Sequence, residues 1–196
     1  MMSKYSFVFL LFCFFSSCST NPEIIEITNE IKALDGFDKQ SKYLENIYAL
    51  DQGIRGQLSS VERQYGYQSP QLQEVYREMR EIDNLNLLKI EKYLELKGHP
   101  AKDIHSNSAV NTPYIVYHHQ SGKKVRKRGF KHLYKAYLNG NMDKDGIAFY
   151  LNRSYYDITN GQRIEWNRPY RVDEELDTLY KLLDLLPIIE EIKKSN

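Results

Sequence analysis

The chain has 196 residues, a hydrophobic fraction of 41%, a charged fraction of 27%, and 27 basic against 26 acidic side chains. That length supports one domain with a core of its own, and that composition excludes a disordered chain. The even charge balance excludes a dedicated nucleic-acid binder, which carries a clear basic excess.

Met1 to Ser6 is a short leader with one charge, Lys4, and Phe7 to Phe15 is an unbroken apolar run. Nine residues reach only ~14 Å as a helix, too short for a bilayer core. Ser16 and Ser17 then place small side chains before Cys18. The pattern reads as a signal peptide over residues 1–17. It resembles the bacterial lipoprotein type, with Phe15 where Leu is usual, and bulky Phe12 makes Cys13 the poorer cleavage point. The resemblance implies cleavage before Cys18, acylation (palmitate among the chains) of its sulfur and new amino group, and a place in the cell envelope, at the outer membrane. Its periplasmic or surface face stays open. Several acyl chains at ~0.8 kcal/mol per buried methylene hold a protein to a membrane without a spanning helix. No cysteine pair then remains, so no disulfide is expected.

Residues 18–22 read as a lipidated tether, and residues 23–196 as a single helical domain. Ile24, Ile27, Ile31 and Leu34 recur at helical spacing, closed by Gly36. Asp38 is an expected N-cap for a second helix with the stripe Leu44, Ile47, Asp51, Ile54, Leu58 and Val61. Asp51 interrupts an apolar face, and Arg55 lies four residues on, within reach for an ion pair. Gly53 and Gly56 suggest a close neighbour or a break. After a turn at Tyr65 to Pro70 comes the longest helical pattern, which carries Asp83 and Asn86 on one face and stops at Gly98-His99-Pro100. A polar pocket is expected around Asp83.

Thr112-Pro113 reads as the start of an apolar helix ending in His118 and His119. Adjacent histidines point about 100° apart on a helix, so they do not readily share a metal, and neither metal nor cofactor is expected. The basic run Lys123, Lys124, Arg126, Lys127, Arg128, Lys131 and Lys135 reads as a solvated face beside the buried Phe130, Leu133, Tyr134 and Tyr137. Such a face can also lie on anionic headgroups. Ile147, Ala148 and Leu151 mark a short helix with Asn152 and Arg153. Asn160-Gly161 between two alternating runs predicts a β-hairpin pairing Tyr155, Asp157 and Thr159 with Trp166, Ile164 and Gln162. A last helix opens at Asp173, buries Leu176, Leu179, Leu183 and Leu186, and is broken by Pro187. The expected fold is mainly α: an irregular bundle of about six helices with one small C-terminal β-hairpin.

The motifs Asp51-Gln52-x-x-Arg55, Asp83-x-x-Asn86, Gly98-x-Pro100, the apolar helix ending in His119, Ala148-x-x-Leu151-Asn152-Arg153 and Asn160-Gly161-Gln162 occur in an order that resembles a bacterial family known as domain of unknown function 6624. The likeness runs from Leu44 to Leu186. Where the family has Trp between Gly and Pro this chain has His99, where it has Gln-His this chain has His118-His119, and where it has Asp-Arg this chain has Asn152-Arg153. Arg163 to Trp166 replaces a Tyr-Gly-Thr-Gln-like ending.

Three functions fit these residues. The first is a non-catalytic, lipid-anchored module for a small ligand or an envelope protein, with Asn86 and Gln162 as ligand-binding candidates. The second is a small envelope enzyme, for instance a hydrolase, with Asp51, Arg55, Asp83, His119 and Arg153 converging as catalytic candidates. The third is a structural envelope protein, in which the same side chains form a buried ion-pair network.

Overall fold

A computed structural model describes residues 21–162 and 173–195. Cys18 and the tether up to Thr20, together with most of the second strand of the expected hairpin, lie outside the described residues. Among the described residues eight helices follow one another: α1 (Pro22–Lys32), α2 (Phe37–Tyr65), α3 (Pro70–Lys97), α4 (Asn107–His119), α5 (Lys123–Leu138), α6 (Lys144–Ile158), α7 (Asp173–Leu182) and α8 (Leu186–Ser195). No strand occurs among the described residues. One cluster of buried apolar side chains draws from all eight helices. No described helix is long and apolar enough to cross a membrane.

The long helices α2 and α3 form a hairpin, and α4 packs against both while also touching α5 and α6. This central position follows from composition. Ala109, Val110, Thr112, Pro113, Val116 and Tyr117 are all buried, so α4 is enclosed on most of its circumference.

Four expectations are corrected here. The N-cap of α2 is Gly36, not Asp38, which falls in the first turn. Helix α4 begins at Asn107, six residues before Pro113, because the Ser106 hydroxyl accepts the Ala109 N–H and caps it there. Pro113 then sits inside the helix, and the Thr112 hydroxyl, within 3.1 Å of Leu44 O and 2.7 Å of Ser108 O, ties the segment to α2 and to its own preceding turn. The first strand of the expected hairpin is the last turn of α6. Asn160 and Gly161 both have positive φ, 56° and 95°, but they terminate a helix: the Gly161 N–H donates to Tyr156 O at 2.8 Å, five residues back. A helix C-terminus and a type I′ turn ask for the same left-handed backbone, and Asn-Gly serves either. At the C-terminus, Leu183 and Asp184 form a turn, with Asp184 at φ 55°. Pro187 lies in the first turn of α8 instead of ending the chain's last helix, which adds one helix, and the described residues hold eight where about six are expected.

Gly53 and Gly56 neither break α2 nor accommodate a neighbour, since a Cβ built at either meets nothing within 4 Å. Gly53→Ala is therefore expected to stabilise the protein by about 1 kcal/mol, the helix-propensity difference, and a urea melt measures it.

The basic run is less exposed than its composition suggests. Lys127 pairs with Asp184 of the α7–α8 turn, Arg128 with Glu91 of α3, and Lys131 with Glu191 of α8. Arg126 is 2% exposed and belongs to the core, a correction to its reading as part of a solvated face.

Candidate functional site

Helix α2 carries Asp51 one turn beyond Ile47, on the stripe that packs into the core, and the carboxylate is 1% exposed. A carboxylate so placed must be paired. Its Oδ1 lies 3.0 Å from His119 Nδ1 at the end of α4 and 3.1 Å from Arg55 Nη1 on the next turn of α2. Its Oδ2 accepts from Gln52 Nε2 at 2.7 Å. Arg55 turns its other terminal nitrogen to α3, where Nη2 donates to both Asp83 oxygens at 2.9 and 3.1 Å. Gln120, just past α4, donates to the Asp83 backbone carbonyl at 3.0 Å. The middles of α2 and α3 and the C-terminal end of α4 are thus joined by one continuous polar network.

An ionised carboxylate only accepts, so His119 donates Nδ1–H to Asp51, and in the neutral ring Nε2 is the acceptor. Among the described residues Nε2 makes no hydrogen bond, and the side chain is 22% exposed. Both terminal nitrogens of Arg55 are occupied, as are both oxygens of Asp51 and both of Asp83. His119 Nε2 is consequently an uncommitted ring nitrogen on a partly exposed side chain of the network, as the Gln52 and Gln120 amide oxygens are uncommitted among the described residues.

His118 has the opposite role. Its ring contacts Tyr114 and His119, with centroids 5.3 and 5.6 Å away, and its buried Nδ1 has no hydrogen-bond partner among the described residues. Burial first, then the neighbouring basic groups His119, Arg126, Arg153 and Arg55, pushes its pKa down to about 4, so it is neutral at pH 7. His99 at the end of α3 is likewise pushed down to about 4, chiefly by burial. A folded-state pKa below the ordinary value of about 6.5 means that the unfolded chain binds the proton first as pH falls. The stability contributed by a neutral His99 is complete above pH 6.5 and is lost between 6.5 and 4, on the order of 3 kcal/mol. Denaturant melts across that window should show the decline, and His99→Gln should lessen it by the share of His99 while that of His118 remains.

Arg126 is the functional residue that reading the charge run missed. Its Nη1 and Nη2 donate to Tyr117 O and His118 O at 3.2 and 3.1 Å, holding the carbonyls of the last turn of α4. Its Nε has no hydrogen bond and faces Asp157 Oδ2 at 3.8 Å, an oxygen that also accepts the Gly122 N–H. Arg126 fixes the end of the helix from which His119 reaches Asp51. The sequence signal existed: Arg126, Phe130, Leu133 and Tyr137 fall at i, i+4, i+7 and i+11 on one stripe.

The remaining candidates are dispersed. Asn86 is 2% exposed, with Nδ2 unpartnered, one turn beyond Asp83. Arg153 is exposed on α6, its guanidinium 5.5 Å from the Tyr156 ring centroid. Gln162 is exposed beyond α6. None of these three side chains hydrogen-bonds to Asp51, Arg55, Asp83 or His119. Among the described residues no group of three or more His, Cys, Asp or Glu side chains is arranged to hold a metal ion.

Fold and site together define an all-helical protein with a carboxylate-held histidine at the junction of three helices. The chain matches no protein-family model, no curated protein and no solved structure.

Proposed function

We propose that the chain is a lipid-anchored protein of the bacterial cell envelope, held at the outer membrane by acyl chains on Cys18, which binds a small ligand or an envelope partner without transforming it. Membership of the domain of unknown function 6624 family, on the motif order given above, is part of the same proposal. The observation that supports binding is the uncommitted Nε2 of His119, a side chain 22% exposed at the edge of the polar network. Asp51 and Arg55 orient His119 so that Nε2 presents a fixed acceptor to a hydroxyl, amide or ammonium donor on a ligand. The Asp51–His119 and Arg55–Asp83 contacts behind it are already made, and such pre-organisation lowers the entropic cost of binding.

The test is a thermal-shift screen of the full chain against envelope metabolites, sugars, nucleotides and peptides. A ligand raises the melting temperature by mass action. The hit should be lost in His119→Ala, a half-buried position whose truncation leaves the apolar core untouched. A hit that survives in that variant removes His119 from the binding site, and a panel without hits moves the reading to a protein partner, to be sought by crosslinking in intact cells.

A second reading, a small hydrolase, is favoured by the 3.0 Å Asp51–His119 contact. A carboxylate that holds Nδ1–H makes Nε2 a general base able to take a proton from water or a substrate hydroxyl. Turnover of any panel compound that His119→Ala abolishes, while binding persists, would favour this reading over the first.

A further inference from the structure

A cavity of about 470 Å³ opens on a different part of the molecule, bounded by the first half of α4, the segment after α3, and the α5–α6 loop with the start of α6. Its volume falls within the range of sites that take small organic ligands. The local sequence builds it. Gly140, at φ 73°, and the Asn141 N–H bonded to Ala136 O turn the chain sharply out of α5, and Asp143 caps α6 by accepting the Gly146 N–H. The loop is thereby held open against α4.

The lining has a particular chemistry. Asn107, Asn111 and Tyr114 fall at i, i+4 and i+7 on α4, and all three line the cavity. Neither of the two amides makes a side-chain hydrogen bond among the described residues, and the Tyr114 hydroxyl makes none either. Phe149, on the facing helix α6, is 48% exposed and lines the same space. The charges present are Asp143 and Asp145 against Lys102, so an anion meets more negative than positive charge. Two aromatic rings offer surface to a C–H face, amides offer paired donors and acceptors, and carboxylates accept from hydroxyls. An apolar ligand would strand the Asn107 and Asn111 amides without partners. We propose that this cavity is a binding site for a neutral sugar, a ring with apolar C–H faces and a rim of hydroxyls. The site is separate from the Asp51–His119 network and does not depend on it.

The experiment is saturation-transfer NMR and calorimetry on the full chain in a zwitterionic detergent that carries no sugar. The probes are glucose, N-acetylglucosamine and their disaccharides, with glucuronate, glucosamine and an alkyl alcohol as charged and apolar comparisons. Binding of at least one neutral sugar is expected, weakened about tenfold by Asn111→Ala, the loss of one or two neutral hydrogen bonds. Phe149→Ala should weaken it similarly. Both positions are exposed, and unchanged melting temperatures will show that the variants fold. The proposal is overturned if no neutral sugar binds, if only the charged or apolar probes bind, or if sugar binding is indifferent to both substitutions.

Discussion

Replacing Asp51 with alanine is expected to lower stability by about 3 kcal/mol, which for a chain of this size lowers the melting temperature by about 10 °C. The cost comes from what is left behind. His119 Nδ1–H loses its acceptor, Gln52 loses its partner, and Arg55 keeps Asp83 and the backbone carbonyl at position 51. Arg55 is about a fifth exposed, so water recovers part of its solvation, and the estimate sits at the low end for a broken buried pair. Asp51→Asn separates size from charge. It keeps the volume but removes the constraint that forces His119 to donate from Nδ1, so it should cost less stability than alanine while still impairing whatever His119 does.

Gly129→Ala is the second large effect, and its sign runs against helix propensity. Alanine at an exposed helix site would gain about 1 kcal/mol over glycine. At Gly129 a Cβ would stand 2.4 Å from the Tyr150 hydroxyl and 2.7 Å from the ring of Tyr117. Both rings are fully buried, and the Tyr150 hydroxyl donates to Arg126 O at 2.8 Å. Neither can withdraw without repacking the α4–α5–α6 junction. Overpacking of this kind costs ~1–3 kcal/mol, and losing the Tyr150 hydrogen bond adds ~1. A net loss of about 2 kcal/mol is expected. Paired urea melts of Gly129→Ala and Gly53→Ala give the sharpest contrast: the same substitution in two helices, opposite in sign.

That contrast shows where the sequence is informative. Periodicity reveals the long helices, because Leu44, Ile47, Ile54 and Leu72, Val75, Ile90 repeat at spacings that only a helix brings to one face. The interruptions of those stripes are also legible: Asp51 and Asp83 stand out as carboxylates where apolar residues belong, and i, i+4 spacing pairs Asp51 with Arg55 directly. Arg55 reaching Asp83, and His119 reaching Asp51, are contacts across helices 28 and 68 residues apart in the chain, and no local rule contains them. The Asn160-Gly161 pair misleads for a physical reason, since positive φ is needed equally by a tight hairpin and by a helix end. Pro113 misleads because capping by Ser106 and the bonds made by Thr112 hold a helix together around it. Gly129 carries no signal at all until the rings on either side of it are placed.

The most direct test follows the ring nitrogens of His119 by ¹⁵N NMR at neutral pH, with and without ligands from the thermal-shift screen. The free protein should show Nδ1 protonated and Nε2 as the bare acceptor, and a true ligand should move the Nε2 resonance while the Nδ1 proton stays with Asp51. A histidine protonated at Nε2 in the free protein, or one whose Nε2 is indifferent to every ligand that stabilises the chain, would contradict a binding site built on His119.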